Sequence, residues 1–397
     1  MTSLESLLRD EWGRLLALLV AQFRRLDLAE DGLADAFEAA ARTWTVLPDN
    51  PPAWLLTTAR RRILDRLRAE AVAARKLPLL AVEASLQEEA QQVMAEAGVP
   101  VRDERLRLVL LCAHPSLPPE SAAALTLRLV LGVPTEDVAR LFLVPTPTMA
   151  ARLTRARKRL AGASFEVPAD LAPRVGVVAD VAYLAFTAGY APGSGPDVLR
   201  VEIAGEAIRL VRVLRTVLPY DDVEVDSLLA LMLLQHSRRD ARTVDGRLVL
   251  LPDQDRSRWD LADISEGLDL LRPWVGAPAS PYLLQALIAA EHAIAPAAAD
   301  TDWDRIVQRY GELEALTGSP VVRLNRTVAV AEASGPAAGL SVLEGLTLPG
   351  HRLAATRAEL LARSGRLDEA RSAYDEAIGR CANLAERAHL IERRARL

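Results

Sequence analysis

Apolar residues recur at helical spacing along almost the whole chain, and this periodicity restricts the possible folds more than any other feature of the sequence. No segment shows the alternation of apolar and polar residues, enriched in β-branched side chains, that is typical of a strand. Most of the apolar residues are Leu, Ala and Val, and both Leu and Ala favour helix. The sequence therefore predicts an all-α fold.

Proline and glycine interrupt this helical pattern and divide the chain into segments. The 397 residues are enough for two to four domains. We predict a helical unit at 1–76, a linker at 77–101, a second helical unit at 102–165 and a long helical extension at 166–397. The linker has four acidic residues and no basic residue, and we expect one short helix within it.

The same breaks predict the individual helices of the first two units. Acidic residues such as Asp27 and Glu30 suit the positive end of a helix dipole, and Pro51 and Pro52 are typical of a helix start. The expected helices cover residues 4–25, 28–44, 53–75, 103–112, 120–131, 135–142 and 146–160.

Charge is distributed unevenly along the chain. Residues 1–162 hold 22 basic and 20 acidic residues, whereas residues 163–397 hold 26 basic and 33 acidic residues. The net charge of −5 by itself argues weakly against nucleic-acid binding. The local basic clusters of the first part, followed by an acidic extension, are more informative than this total.

Several classes of protein are disfavoured by what the sequence lacks. Two distant cysteines, Cys112 and Cys381, make neither a disulfide framework nor a zinc site, and His114 has no second ligand pair near it. No glycine-rich phosphate loop, GxSxG or HExxH motif is present, so we expect no enzyme, no catalytic residue, no metal and no cofactor. The N-terminus lacks the apolar region of a signal peptide and no apolar stretch is long enough for a bilayer, which predicts a cytoplasmic protein without a membrane partner.

The segment 135–160 has the pattern of a helix-turn-helix, with a short helix, a turn at 143–145 and a longer second helix. No acidic residue occurs between 146 and 162, and five basic residues do. The apolar residues expected to pack the second helix are Met149, Ala150, Leu153, Ala156 and Leu160.

A recognition helix contacts base edges with its N-terminal residues and phosphates with its flanks. The sequence therefore predicts DNA contacts from this second helix. The candidates are Thr146, Thr148 and Arg152 near the bases and Arg155, Arg157 and Lys158 near the phosphates. The alternative is an ordinary amphipathic helix with a solvated charged face.

A second basic cluster lies on the predicted helix 53–75. It contains a single acidic residue, Asp65, and such a stripe can follow a phosphate backbone and make binding salt-dependent. The alternative is again a solvated helix surface. The basic residues of this cluster are Arg60, Arg61, Arg62, Arg66 and Arg68.

The order and spacing of these motifs resemble those of a known family. Residues 28–44 (LAEDGLADAFEAAARTW) and 50–68 (NPPAWLLTTARRRILDRLR) are similar to region 2 of extracytoplasmic-function sigma factors. Residues 135–160 (TEDVARLFLVPTPTMAARLTRARKRL) are similar to their region 4. The rest of the chain resembles the subgroup of these factors with a long C-terminal extension of tetratricopeptide-like repeats.

Four stretches carry the resemblance to that subgroup: LCAHPSL at 111–117, FTAGY at 186–190, QDRSRWD at 254–260 and TDW at 301–303. Residues 319–346 and 354–377 have the rhythm of helix-turn-helix repeats. The chain departs from the subgroup at two places. It has Thr187-Ala188 where the subgroup often has Asn-Glu, and Cys112-Ala113 where the subgroup often has two cysteines.

The resemblance implies a sigma factor, which binds core RNA polymerase and directs promoter-specific transcription initiation. Region 2, at 1–76, would dock on the β′ clamp and open the −10 element, and region 4, at 102–165, would read the −35 element. From its acidic charge and repeat pattern, we hypothesise that the extension at 166–397 regulates activity through an intramolecular or partner-protein contact. The implied core-binding residues are Asp31, Asp35, Phe37 and Glu38, and Trp54 joins the five arginines of 60–68 as a candidate for −10 DNA.

Two other interpretations of the whole chain remain open. A stand-alone helix-turn-helix regulator with a repeat-type sensor domain explains residues 102–397 but not the first 76. A protein-interaction scaffold explains only the repeats. The charged loop at 253–260 is predicted to be either a structural ion network or a partner-binding loop.

Overall fold

The computed structural model describes residues 4–73, 102–142, 144–160, 172–190, 199, 201–244 and 247–397. Most of these residues are helical, which confirms the predicted all-α fold. The predicted linker at 77–101 and the predicted boundary at 165/166 lie outside the described residues. The chain divides into two compact units, which are Met1–Leu184 with Arg212–Tyr220, and Ala185–Val211 with Asp221–Leu397.

The first unit contains seven complete helices within its described residues. They are α1 (Leu4–Phe23), α2 (Leu26–Thr43), α3 (Pro51–Ala73), α4 (Arg102–Cys112), α5 (Pro119–Leu129), α6 (Thr135–Leu141) and α7 (Thr146–Leu160). Two further helices, α8 (Ala172–Tyr190) and α9 (Val201–Val217), each contribute residues to both units.

Proline determines where several of these helices begin. Helix α3 starts at Pro51 rather than at the predicted Ala53, and α5 starts at Pro119. Proline suits the first helical turn, because its fixed φ is already helical and the N–H that it lacks would have no partner there. The prolines therefore lie inside the first turns of these helices and not only before them.

Helix α1 lies against the end of α5 with no room for an added side chain. A Cβ atom placed on Gly13 would overlap the carbonyl group of Val130, and one placed on Gly132 would lie 2.8 Å from the Trp12 ring. Gly132 also has a φ of 71°, a conformation that only glycine adopts without strain. These two glycines permit the close contact between α1 and the end of α5 with the turn that follows it.

The second unit continues the helical pattern with the remaining helices. They are α10 (Val223–His236), α11 (Leu261–Leu271), α12 (Pro281–Ile294), α13 (Trp303–Thr317), α14 (Pro320–Ser334), α15 (Pro336–Val342), α16 (Arg352–Arg363), α17 (Leu367–Arg380) and α18 (Leu384–Ala395). Short 3₁₀ turns occur at Arg239–Ala241, Leu251–Asp253, Arg256–Arg258, Arg272–Trp274 and Ala298–Asp300.

Two short strands also occur, β1 (Thr243–Val244) and β2 (Arg247–Leu248), and they pair antiparallel with Thr243 opposite Leu248. The sequence analysis found no strand pattern. Each strand has only two residues, which is too short to show an alternation of apolar and polar side chains.

Consecutive helices of the second unit pack against each other from α12 to α18. The helix pair expected at 354–377 is present as α16 and α17, whose facing residues form one apolar cluster with Tyr374 inside it. Among the described residues, no helix is both long enough and apolar enough to cross a membrane.

Candidate nucleic-acid interface

Helix α7 has a buried side and an exposed side. Met149, Leu153, Ala156 and Leu160 are buried, and the helix packs against α5 and α6. The prediction that Ala150 belongs to the packed side was wrong, because Ala150 is exposed. One residue after Met149 lies about 100° further around the helix, which turns Ala150 away from the buried stripe.

The exposed side of α7 is polar and basic. Among the candidates for DNA contact, Thr146, Thr148, Arg155 and Lys158 are exposed. Arg159 is also exposed, although the candidate set left it out. Its place in the acid-free basic run was a sufficient signal to include it. The geometry therefore leaves the start and the outer face of α7 open to a large anionic partner.

Arg152 is less accessible than the sequence analysis assumed. Its Nη1 atom lies 3.3 Å from Oε2 of Glu120, and its guanidinium lies 5.8 Å from the centre of the Phe142 ring. Only 21% of its side chain is exposed. A base contact from Arg152 requires that it leave Glu120.

Arg157 forms an ion pair with a residue of α2. Its Nη2 atom lies 2.6 Å from Oε2 of Glu30, and Nε of Arg128 lies 2.8 Å from Oε1 of the same carboxylate. Only 7% of the Glu30 side chain is exposed. Arg128 also lies over the Trp12 ring, 5.1 Å from its centre. We call Glu30, Arg128 and Arg157 the Glu30 network.

The Glu30 network affects the neighbouring thiol. Burial, with the negative charge of Glu30 as a second cause, raises the pKa of Cys112 far above its usual value. The thiol is fully buried. Because the thiolate is the reactive form, Cys112 is a structural residue in this arrangement.

The basic cluster of α3 is only partly exposed. Arg61, Arg62 and Arg68 are exposed, and Arg68 pairs with Asp65 at 3.0 Å. Arg60 is 9% exposed, and burial lowers the pKa of its guanidinium. The predicted phosphate contact did not anticipate this burial, which places Arg60 on the same helix face as the fully buried Ile63 three residues later.

Some of the candidate core-binding residues of α2 form ion pairs with other residues of the chain. Nη1 and Nη2 of Arg66 lie 3.0 and 2.9 Å from Asp31 and Asp35, so a candidate DNA residue pairs with two candidate polymerase residues. Glu38 is exposed and pairs only with Arg42 on its own helix among the described ion pairs. Phe37 is buried, with its ring 5.8 Å from that of Trp12, which makes it a core residue of this unit.

The segment between α2 and α3 carries exposed apolar residues. Val46 is 82% exposed and Leu47 is 38% exposed. Next to them, the rings of Trp44 and Trp54 meet edge to face, 5.1 Å apart. Trp54 is half-buried, and its ring contacts that of Trp44.

The structure also brings together a group of metal-ligand side chains that the sequence analysis did not anticipate. His351, Cys381 and Glu386 place ligand atoms within 4.8 Å of one another. The His351 ring lies 2.9 Å from Glu386, and the Cys381 thiol donates to the Asn383 carbonyl at 3.3 Å. These contacts are enough to explain the group as part of the packing.

Comparisons with known proteins identify the class of the helix-turn-helix segment. Residues 107–160 match the family model "Sigma-70, region 4". Residues 174–274 match a family of unknown function, DUF6596. The chain therefore contains a sigma-70 region 4 domain, which supports a sigma-70 family factor with a DNA-binding role in transcription initiation. Proteins with this region are not enzymes, and the region indicates interaction with RNA polymerase and promoter DNA.

A relative covers nearly the whole chain. An uncharacterized protein of Rhizobium meliloti (strain 1021) is 39% identical over 392 residues, which span 94% of this chain and 90% of the relative. The chain belongs to the same family as that protein. No solved structure matches this chain.

Proposed function

We propose that this chain is an extracytoplasmic-function sigma factor with a regulatory C-terminal extension. Residues 1–76 act as region 2, which binds the β′ clamp of core RNA polymerase and opens the −10 element. Residues 102–165 act as region 4, which reads the −35 element. Residues 166–397 regulate this activity and are built from tetratricopeptide-like helix pairs.

The observation that carries the proposal is the exposed side of α7. It lies inside the match to sigma-70 region 4, presents Thr146 and Thr148 at its start, and then Arg155 and Lys158, all exposed. No acidic residue interrupts this face. A helix with polar residues at its N-terminus and basic flanks suits the major groove and the adjoining phosphates.

The ion pairs within the first unit bear on how the factor acts. The Glu30 network holds Arg157, a candidate phosphate contact, against α2, and Arg66 holds Asp31 and Asp35. In this arrangement the first unit withholds part of its DNA-binding and polymerase-binding surface. Binding to polymerase then involves separation of α7 from α2.

Co-purification with core RNA polymerase tests the proposal. Asp31→Arg and Asp35→Arg also break pairs with Arg66, so Glu38→Arg is the cleaner charge reversal. The matched control is Glu376→Arg, because Glu376, like Glu38, pairs with an arginine four residues later on its own helix. We expect the wild type and the control to bind polymerase and Glu38→Arg to bind at least tenfold more weakly.

A wild-type protein that fails to bind core polymerase would contradict the proposal. Binding of the same protein to a palindromic site without polymerase would then favour a stand-alone regulator. Equal binding by all variants would retain the sigma factor and reject Glu38 as a polymerase contact.

A separate truncation experiment tests the regulatory role of the extension. Ending the chain at 165 would remove residues 172–184 and 212–220, which belong to the first unit. We therefore end the chain after Tyr220 and measure promoter-dependent transcription, with a circular dichroism melt as the folding control. A gain of transcription means that the extension inhibits and a loss means that it is required, whereas no change contradicts a regulatory role.

A further inference from the structure

Three arginines gather around two aromatic rings in the second unit. The guanidinium of Arg242 lies 3.8 Å from the centre of the Tyr190 ring, and that of Arg256 lies 4.4 Å from the centre of the Trp259 ring. Arg238 lies between them, 5.9 Å from each of the two rings. We call these five residues the arginine–aromatic cluster.

The positive charge of this cluster is not neutralised by carboxylates. Among the ion pairs of the described residues, none involves Arg238, Arg242 or Arg256. The adjacent Arg239 is different, because it pairs with Asp260 at 2.6 Å and with Asp263 at 2.7 Å. Of the charged loop at 253–260, Asp260 takes part in this ion pairing with Arg239, and the other three arginines have no carboxylate partner among the described ion pairs.

Arg238 repels both of the other arginines, and Arg238 and Arg256 repel a neighbouring histidine. Burial, assisted by the charge of Arg238, lowers the pKa of both Arg242 and Arg256. Burial together with Arg238 and Arg256 lowers the pKa of His292 to about 4. Glu386 and Asp300 act on Arg242 and Arg256 only from beyond ion-pair distance. The cluster is thus a local excess of positive charge.

Hydrogen bonds hold the guanidinium groups of Arg256 and Arg238 in place, and one nitrogen of the Arg242 guanidinium has no hydrogen-bond partner. Nη1 of Arg256 donates to the carbonyl oxygens of His292 and Ala295 at 2.7 and 2.8 Å, and Nη2 of Arg238 donates to the Tyr190 hydroxyl. Nη1 of Arg242 and Nε1 of Trp259 are buried without a hydrogen-bond partner. A buried donor without a partner is costly and rare, so each one calls for an explanation.

The cluster is also accessible. Arg238, Arg242 and Arg256 are each half-buried, so none of the three side chains is fully enclosed. Their fixed, partly dehydrated donors are suited to an oxyanion, which guanidinium groups bind through paired hydrogen bonds. A phosphate group fits better than a carboxylate, because it offers more acceptor oxygens and up to two negative charges to three arginines.

We propose that the arginine–aromatic cluster binds the phosphate group of a small molecule. The faces of Tyr190 and Trp259 are already covered by guanidinium groups, so recognition is directed to the phosphate and not to a stacked base. The site is independent of the proposed promoter contacts and gives the second unit a ligand of its own.

Titration calorimetry on the full-length protein tests the site, with inorganic phosphate and ribose 5-phosphate as probes. Sodium chloride of matched ionic strength is the reference, because screening alone must not produce the signal. We expect saturable binding of at least one probe. Tighter binding of ribose 5-phosphate would assign the site to a phosphorylated metabolite, and tighter binding of inorganic phosphate would assign it to the free ion.

Variants locate the binding in the cluster. Arg238→Gln and Arg256→Gln each remove a charged donor, and we expect the Kd to rise about tenfold or more. Arg272→Gln is the matched control, since Arg272 pairs with Asp269 at 2.7 Å in the same unit, and its Kd should be unchanged.

Two outcomes would overturn the proposal. One is a wild-type protein that shows no binding beyond the chloride reference. The other is equal weakening in Arg238→Gln, Arg256→Gln and Arg272→Gln, which would indicate a general charge effect. If a glutamine variant fails to fold, Arg242→Lys keeps the charge but loses the planar fork, and unchanged binding by that variant would also reject the site.

Discussion

The carboxylate of Glu30 in α2 and the guanidinium of Arg157 in α7 form an ion pair with 2.6 Å between Oε2 and Nη2. The two residues belong to different motifs of the sequence, one expected to meet polymerase and the other DNA. Arg128 neutralises the other oxygen of Glu30 at 2.8 Å. The pair therefore connects two surfaces that the proposed function uses separately.

Replacing Glu30 with Gln should destabilise the first unit. The carboxylate is buried between two arginines, and its removal leaves both charges without a partner. We expect the free energy of unfolding in urea to fall by about 3–5 kcal/mol. The control Glu38→Gln breaks an exposed pair with Arg42 and should change the free energy of unfolding by no more than about 1 kcal/mol. Equal effects would mean that the Glu30 network adds nothing beyond a surface pair.

The two arginines at 155 and 157 should differ in DNA binding. Arg155 is exposed, whereas Arg157 is held by Glu30. We expect Arg155→Ala to reduce the slope of log Kobs against log salt by about 1 on −35 DNA, at unchanged thermal stability. Arg157→Ala should instead lower the melting temperature. Loss of stability in Arg155→Ala without a change in slope would contradict the placement of α7.

Replacing Gly13 with Ala tests the contact between α1 and α5. The added methyl group would overlap the Val130 carbonyl, and backbone cannot move aside as a flexible side chain does. We expect a loss of about 1–3 kcal/mol in unfolding free energy. Gly311→Ala is the matched control, because Gly311 also lies inside a helix but has nothing within 4 Å of an added Cβ. That variant should gain about 0.5–1 kcal/mol, and similar losses in both variants would rule out the close contact.

The stability of the second unit should fall in alkali through Tyr374. Its hydroxyl donates to Glu359 at 2.8 Å, and burial together with that carboxylate raises the pKa of Tyr374 to about 12. An unfolded tyrosine has a pKa of about 10, so the folded state holds this proton more tightly. The stabilising contribution is present below pH 10 and is lost as the pH rises to about 12.

The difference in tyrosinate absorbance between the wild type and Tyr374→Phe measures this pKa directly. Tyr220→Phe is the control, because Tyr220 is 44% exposed. A difference titration for Tyr374 centred near pH 10 would contradict the buried hydrogen bond to Glu359.

The positions of the helices could be predicted from local sequence. Helices α1, α2 and α7 begin and end within about three residues of their predicted bounds, because periodicity, proline and capping residues act over one or two turns. The buried set of α7 was predicted with the single exception of Ala150. The exposed residues Thr146, Arg155 and Lys158 follow from the same periodicity.

Local sequence did not predict which of the other candidate site residues are exposed. Arg60 and Arg61 are neighbours of the same type, yet Arg60 is buried and Arg61 is exposed. The identity of a residue predicts its charge, but the helices packed around it decide whether that charge meets solvent or a carboxylate. Phe37 is a core residue for the same reason.

The sequence by itself determined the helical class, the helix-turn-helix with its basic second helix, and the repeat rhythm near the C-terminus. These features depend on interactions within one or two helical turns. Only the tertiary structure decided that Glu30 meets Arg157, and that Arg242 lies over Tyr190 beside Arg238 and Arg256. Such contacts join residues far apart in the chain, and they arise because the packing of whole apolar faces brings them together.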